Sequence, residues 1–86
     1  MRVMVLHDVD DVPHWLASPK RDEFFHAHGM KVSTFTGSDG GNRVGVIIDG
    51  VPDLDTFHAA LQTPEGAAAM KHDGVHPDSI FILVES

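Results

Sequence analysis

The chain has 86 residues, of which 42% are hydrophobic and 22% charged, and its formal net charge is -7. This length accommodates a single domain, residues 1–86, and the composition is that of a chain that folds. The absence of cysteine excludes disulfides, thiol nucleophiles and cysteine zinc sites, and the six scattered Lys and Arg residues argue against a nucleic-acid surface.

The first apolar run, Met1 to Leu6, predicts a β-strand. It is too short for the core of a signal peptide, and no run in the chain approaches the ~20 apolar residues of a membrane span. We therefore expect a cytoplasmic protein without a membrane partner. After this strand, Asp11 is expected to cap a helix that has Pro13 in its first turn.

The segment that follows predicts two short helices instead of one. Pro19 removes a backbone hydrogen bond and biases Ser18 away from helical geometry, so the helix breaks at this point. Ser18 is expected to cap the second piece, and Gly29 is expected to end it in the left-handed conformation.

Two β-prone runs, Met30 to Thr36 and Arg43 to Asp49, follow the helical segment. Between them lie residues 37–42, whose glycines supply the positive φ angles that a hairpin needs. The pattern predicts a β-hairpin. This stretch is not a phosphate loop, because it leads into another strand and lacks the Lys-Ser/Thr ending.

The last third of the chain predicts a second broken helix and a final strand. Leu54, Phe57 and Leu61 share one helical stripe. Thr63 caps a second piece, with Pro64 in its first position and His72 at its end, and Gly74 terminates it. The run from Ser79 to Val84 predicts the fourth strand.

This order of elements predicts an α+β protein with a ferredoxin-like βαββαβ fold, in which both helical layers cover one face of a four-stranded antiparallel sheet. Both faces of the first and last apolar runs are apolar. Val3 and Val5 alternate with Met4 and Leu6, and Phe81 and Leu83 alternate with Ile80, Ile82 and Val84. A sheet with one solvated face would alternate apolar and polar residues. The pattern therefore predicts that the second face pairs with another copy of the chain.

The size of that face supports pairing. Four strands of about five residues cover roughly 300 Å², and burying this area would contribute roughly 8 kcal/mol before the entropy of association. We expect a homodimer that forms a dimeric α+β barrel. The alternative is a monomer whose second face is partly covered by loops.

Several segments together resemble the antibiotic-biosynthesis-monooxygenase-like (ABM-like) branch of the dimeric α+β barrel superfamily. The resemblance covers nearly the whole chain and is carried by Val9 to Trp15, His28 to Met30, Leu61 to Lys71, and Asp73 to Val75. The third segment has the proline-glutamate step and the alanine-methionine stretch of the family's second helix. The resemblance implies an ABM-like domain and a homodimer, in a superfamily that includes cofactor-free oxygenases, isomerases, cyclising enzymes and haem-degrading enzymes.

Two departures from the family pattern bear on the chemistry. The haem-degrading members have an asparagine on the first strand and a tryptophan on the second helix, where this chain has His7 and, approximately, Phe57. Quinone-forming oxygenases of the family often use tyrosine, and this chain has none.

Seven histidines are present, and histidine is the side chain best suited to proton transfer near neutral pH. His7 has the same parity as Val3 and Val5, so it should lie at the end of the buried face, as a general acid or base or as a backbone-bonded strand-end residue. We assign the catalytic candidates to His7, His58 and His72. The alternative for His58 and His72 is an ordinary surface position.

Four residues are candidates for contact with a ligand. Thr34 and Thr36 share a strand face with Val32 and carry hydroxyl groups, although they are also ordinary strand residues. Trp15, the sole tryptophan, and Phe57 are the aromatic candidates, and both also suit a packed core.

The function hypothesis is a cofactor-free enzyme of the monooxygenase, isomerase or cyclase type, acting on a small and largely apolar molecule between helices and sheet. The first alternative is a non-catalytic small-molecule binding or accessory dimer. The second is haem or metal binding, since His7, Asp8, Asp10, Asp11 and His14 concentrate metal-ligand types. Their spacing matches no closed metal site, so we expect neither metal nor organic cofactor.

Overall fold

The four predicted strands form one antiparallel sheet in a computed structural model that describes residues 1–86. They are β1 (Val3–Asp8), β2 (Lys31–Thr36), β3 (Arg43–Asp49) and β4 (Phe81–Val84). The order across the sheet is β2-β3-β1-β4, with every neighbouring pair antiparallel. The predicted α+β class and ferredoxin-like arrangement are confirmed.

Each helical layer consists of two short helices, as predicted from the internal prolines. The helices are α1 (Val12–Ala17), α2 (Lys20–Ala27), α3 (Leu54–Leu61) and α4 (Pro64–His72), and a 3-10 turn spans Pro77–Ser79. Gly66 allows α4 to start close to the end of α3, because a Cβ at this position would lie 2.8 Å from the carbonyl oxygens of Ala60 and Leu61. None of these helices is long and apolar enough to cross a membrane.

Side-chain caps begin three of the four helices. The Asp11 carboxylate accepts from the backbone N–H of His14 at 3.0 Å, and the Thr63 hydroxyl accepts from the N–H of Gly66 at 3.1 Å. Asp53 caps α3 in the same way. The start of α2 differs from the prediction: Pro19 holds the N-cap position, and the Ser18 hydroxyl accepts from the N–H of Lys20.

The bounds of β1 and β4 differ most from the prediction, whereas β2 begins one residue late, at Lys31. β1 begins at Val3 and continues to Asp8, because the long strand β3 supplies partners as far as Arg43, opposite Asp8. β4 begins at Phe81 instead of Ser79, since the preceding proline leads the chain through the 3-10 turn.

The two faces of the sheet are apolar in different ways. On the helix-covered face the side chains of β1 and β3 are buried: Val3, Val5, His7, Val44, Val46 and Ile48. The opposite face carries no element of the chain and presents apolar side chains: Met4, Leu6, Phe35, Ile47, Phe81 and Leu83. Among these, Phe35 and Phe81 are 53% and 58% exposed. We call this second surface the open face.

Candidate functional site

A cavity of about 70 Å³ lies between the helices and the covered face of the sheet. Twelve of its 16 lining residues are hydrophobic, so its interior is mainly apolar. The polar side chains in the wall belong to His7, Arg21 and Asp73. A water molecule needs roughly 10–15 Å³ of such space, so the cavity has room for several waters or for one compact organic molecule.

His7 enters the cavity from β1, because it has the same parity as Val3 and Val5 on the covered face. Its side chain meets Trp15 edge to face, with ring centroids 5.8 Å apart. The residue is only 6% exposed, and its Nδ1 atom has no hydrogen-bond partner. Burial lowers the pKa of His7 below its ordinary value of 6.5, and the positive charge of Arg21 also lowers it, against an opposing contribution from the Asp8 backbone. This lowering favours the neutral form of the imidazole at neutral pH.

Arg21 reaches the same cavity from α2. Its Nη1 donates to the carbonyl oxygen of Trp15 at 3.0 Å, and its guanidinium carbon lies 4.3 Å from the centre of the Trp15 ring. This stacked arrangement is a cation–π contact. The Nε atom of Arg21 is buried and has no hydrogen-bond partner.

Asp73, at the end of α4, balances the charge of Arg21. Its Oδ2 lies 3.8 Å from Nη1 of Arg21, which is ion-pair distance but longer than a hydrogen bond. The side chains of Arg21 and Asp73 are 9% and 4% exposed. Burial lowers the pKa of Arg21 and Asp73 raises it, and a guanidinium stays protonated in proteins. The two buried charges therefore sum to zero.

His72 lies beside the cavity instead of in its wall. Its Nδ1 lies 3.0 Å from Oδ1 of Asp73 and 3.4 Å from the hydroxyl of Ser18. A serine-histidine-aspartate relay needs the serine on one ring nitrogen and the aspartate on the other. Because both partners meet the same nitrogen, this group is not arranged as a hydrolase triad. His72 instead orients Asp73, the charge partner of Arg21.

The structure brings together only some of the residues singled out from the sequence. His7, Trp15 and Phe57 line the cavity. His58 is exposed on the outer side of α3, where its ring packs near that of Phe57.

Thr34 and Thr36 lie on the helix-facing side of β2, opposite Val46 and Val44. Because β2 is an edge strand, both threonines are exposed and contribute nothing to the cavity wall.

Arg21 and Asp73 were not predicted as site residues. One signal in the sequence could have indicated Arg21: it lies six residues after Trp15, inside a helix that must cover an apolar sheet. No signal in the sequence indicates that Asp73, on the other helical layer, would meet it.

No group of three or more His, Asp or Glu side chains is arranged to hold a metal ion. Asp11 caps α1, and Asp10 binds His76 across two loops, so the acidic segment after β1 stabilises the fold.

Comparison with known proteins gives no assignment. Neither a protein-family model nor a curated protein matches the chain.

Proposed function

We propose that the protein binds a small, largely apolar molecule in the cavity between helices and sheet, and that it acts on this molecule as a cofactor-free enzyme. The observation that carries the proposal is His7, a buried imidazole in the cavity wall with an unpartnered Nδ1. Of the three histidines selected from the sequence, only His7 lines this cavity. His72 assists by orienting Asp73.

The chemistry that His7 supports is proton transfer. A neutral imidazole keeps one ring nitrogen unprotonated, and this nitrogen accepts a proton from a bound molecule while the apolar surroundings exclude competing water. Isomerisation and cyclisation, two reaction types of the superfamily that this chain resembles, can proceed through proton transfer by such a group.

Deuterium exchange tests this role. The protein is incubated in D2O with small, largely apolar compounds that carry weakly acidic C–H bonds, and deuteration is followed by NMR. We expect exchange above the buffer rate, and loss of exchange in His7→Gln. His26→Gln, an exposed position on α2, is the matched control and should retain the activity.

The alternative is a non-catalytic binding or accessory protein. The same cavity supports it, because a mainly apolar wall with few polar atoms is typical of binding sites in general. Saturable binding of a compound without exchange in any member of the panel would favour this alternative over the enzyme.

We further propose that the protein is a cytoplasmic homodimer of the dimeric α+β barrel type, paired through the open face. The support is the row of exposed apolar side chains on β1, β2 and β4, including Phe35, Phe81 and Leu83. Stable interfaces bury about 800 Å² per partner. The open face of roughly 300 Å² would form the apolar centre, with neighbouring loops as its rim. A strict monomer at micromolar concentration in sedimentation velocity would contradict this proposal.

A further inference from the structure

Two residues that line one cavity each carry a buried polar atom without a hydrogen-bond partner: Nδ1 of His7 and Nε of Arg21. Both residues are more than nine-tenths buried, and both contact the ring of Trp15. Buried polar groups in folded proteins nearly always have partners. These unpartnered atoms, on two residues of one cavity wall, are the groups that a ligand in the cavity would satisfy.

The chemistry of the two atoms restricts the ligand. The Nε of arginine only donates, so the ligand atom facing it must be an acceptor. The Nδ1 of a neutral histidine donates in one tautomer and accepts in the other. Carbonyl and hydroxyl oxygens both satisfy this pair.

The charge of the cavity decides between an anion and a neutral molecule. Arg21 already faces the buried carboxylate of Asp73, and no other cationic side chain lines the cavity. A carboxylate ligand would add an uncompensated negative charge to a mainly apolar space, which is strongly unfavourable. The balance favours a neutral ligand.

We propose that the cavity takes a compact, neutral molecule with an apolar body and one ketone or alcohol oxygen, held by Arg21 and His7. This inference rests on the proposed function and names its ligand class. The oxygen pairs with Nε of Arg21 and Nδ1 of His7, and the twelve apolar wall residues enclose the rest.

Three six-membered-ring probes test the inference: cyclohexanone, cyclohexane and cyclohexanecarboxylate. Trp15 is the sole tryptophan and lines the cavity, so its single indole N–H signal in a proton-nitrogen correlation spectrum reports binding. At pH 7.5 we expect cyclohexanone to shift this signal saturably and cyclohexanecarboxylate to bind at least roughly tenfold more weakly.

His7→Leu separates the hydrogen bond from hydrophobic contact. The variant should weaken cyclohexanone binding roughly five- to tenfold, the effect of one lost hydrogen bond. Cyclohexane binding should not weaken. His26→Leu, exposed on α2, is the control and should change neither affinity.

The outcomes distinguish this inference from the function on which it rests. Two results would overturn the neutral ligand oxygen but not the small-molecule cavity. The first is that cyclohexanecarboxylate binds as tightly as cyclohexanone or more tightly. The second is that His7→Leu loses equal affinity for cyclohexanone and for cyclohexane. If no probe shifts the indole signal, both proposals fail.

Discussion

The two faces of the sheet have similar apolar side chains but different surroundings. On the covered face, β1 and β3 pack under four helices and enclose a cavity whose wall includes His7. On the open face, Met4, Phe35, Phe81 and Leu83 lie exposed. The difference teaches that apolar character alone does not separate a binding site from an association surface. In our proposals, buried polar atoms distinguish the binding site on the covered face, and exposed apolar side chains distinguish the association surface on the open face.

The largest expected effect lies at the centre of the covered face. Phe57 is fully buried and lines the cavity, so Phe57→Ala should lower the free energy of unfolding by about 3–5 kcal/mol through lost burial and an enlarged cavity. Chemical denaturation measures this. Leu16→Ala, at a 46% exposed position on α1, should stay within about 0.5 kcal/mol; a similar loss in both variants would remove the contrast.

The second-largest expected effect concerns the buried charges of Arg21 and Asp73 on the covered face. Asp73→Ala should lower the free energy of unfolding by about 3 kcal/mol, because it leaves the Arg21 guanidinium buried without a counter-charge. The double variant Arg21→Met/Asp73→Ala should recover much of the loss, since no charge then stays buried. Unfolding midpoints of the two single variants and the double variant give the coupling. Strictly additive losses would show that the two side chains do not interact.

The open face is tested by placing a charge on it. Leu83→Glu should raise the dimer dissociation constant roughly a hundredfold, because two copies would bury uncompensated carboxylates. Sedimentation velocity over a concentration series measures this. Leu83 and Leu16 are 42% and 46% exposed, so Leu16→Glu, on the helical side, is the matched control. Equal sedimentation of both variants and the wild type would contradict pairing through the open face.

Two histidines have smaller expected effects, and their contributions to stability change in opposite directions with pH. Burial lowers the folded-state pKa of His7, so its contribution to stability is present above the unfolded value of 6.5 and is lost as pH falls through the folded value. His7→Leu should therefore lose less stability than the wild type between pH 7.5 and pH 5. Thermal unfolding at both pH values measures this, and equal losses would show that His7 is not buried as a neutral ring.

The smallest expected effect lies outside both faces. The hydrogen bond from His76 to Asp10 raises the pKa of His76 above 6.5, so its stabilising contribution is full below 6.5 and is lost as pH rises through the folded value. His76→Gln should lower the melting temperature slightly at pH 6 and leave it unchanged at pH 9. An equal change at both pH values would exclude the ion pair as its cause.

Much of the fold could be predicted from local sequence signals. Pro19 and Pro64 broke the helical layers where expected, and Gly29 adopts positive φ as predicted. These residues act through the backbone of their immediate neighbours, so no distant contact is needed to interpret them. The boundaries of β1 and β4 were less predictable, because the partner strand β3 and the turn at Pro77–Ser79 decide them.

The candidate site was only partly predictable. The parity of His7 with Val3 and Val5 placed it on the covered face, because side chains alternate along a strand. The same rule placed Thr34 and Thr36 on one strand face with Val32, but it carries no information about the helices that leave them exposed at the edge.

The sequence by itself determined the order of the elements, their breaks and caps, and the apolar character of both sheet faces, because these follow from local backbone and side-chain chemistry. Only the tertiary structure decided which face the helices cover with a cavity, and that Arg21, His7 and Asp73 meet there. Arg21 and Asp73 lie 52 positions apart in the chain, and no local rule predicts contact between side chains on separate helical layers. The open face shows the same division. Its apolar pattern could be predicted from the sequence, whereas the exposure of its side chains depends on which face the helices cover.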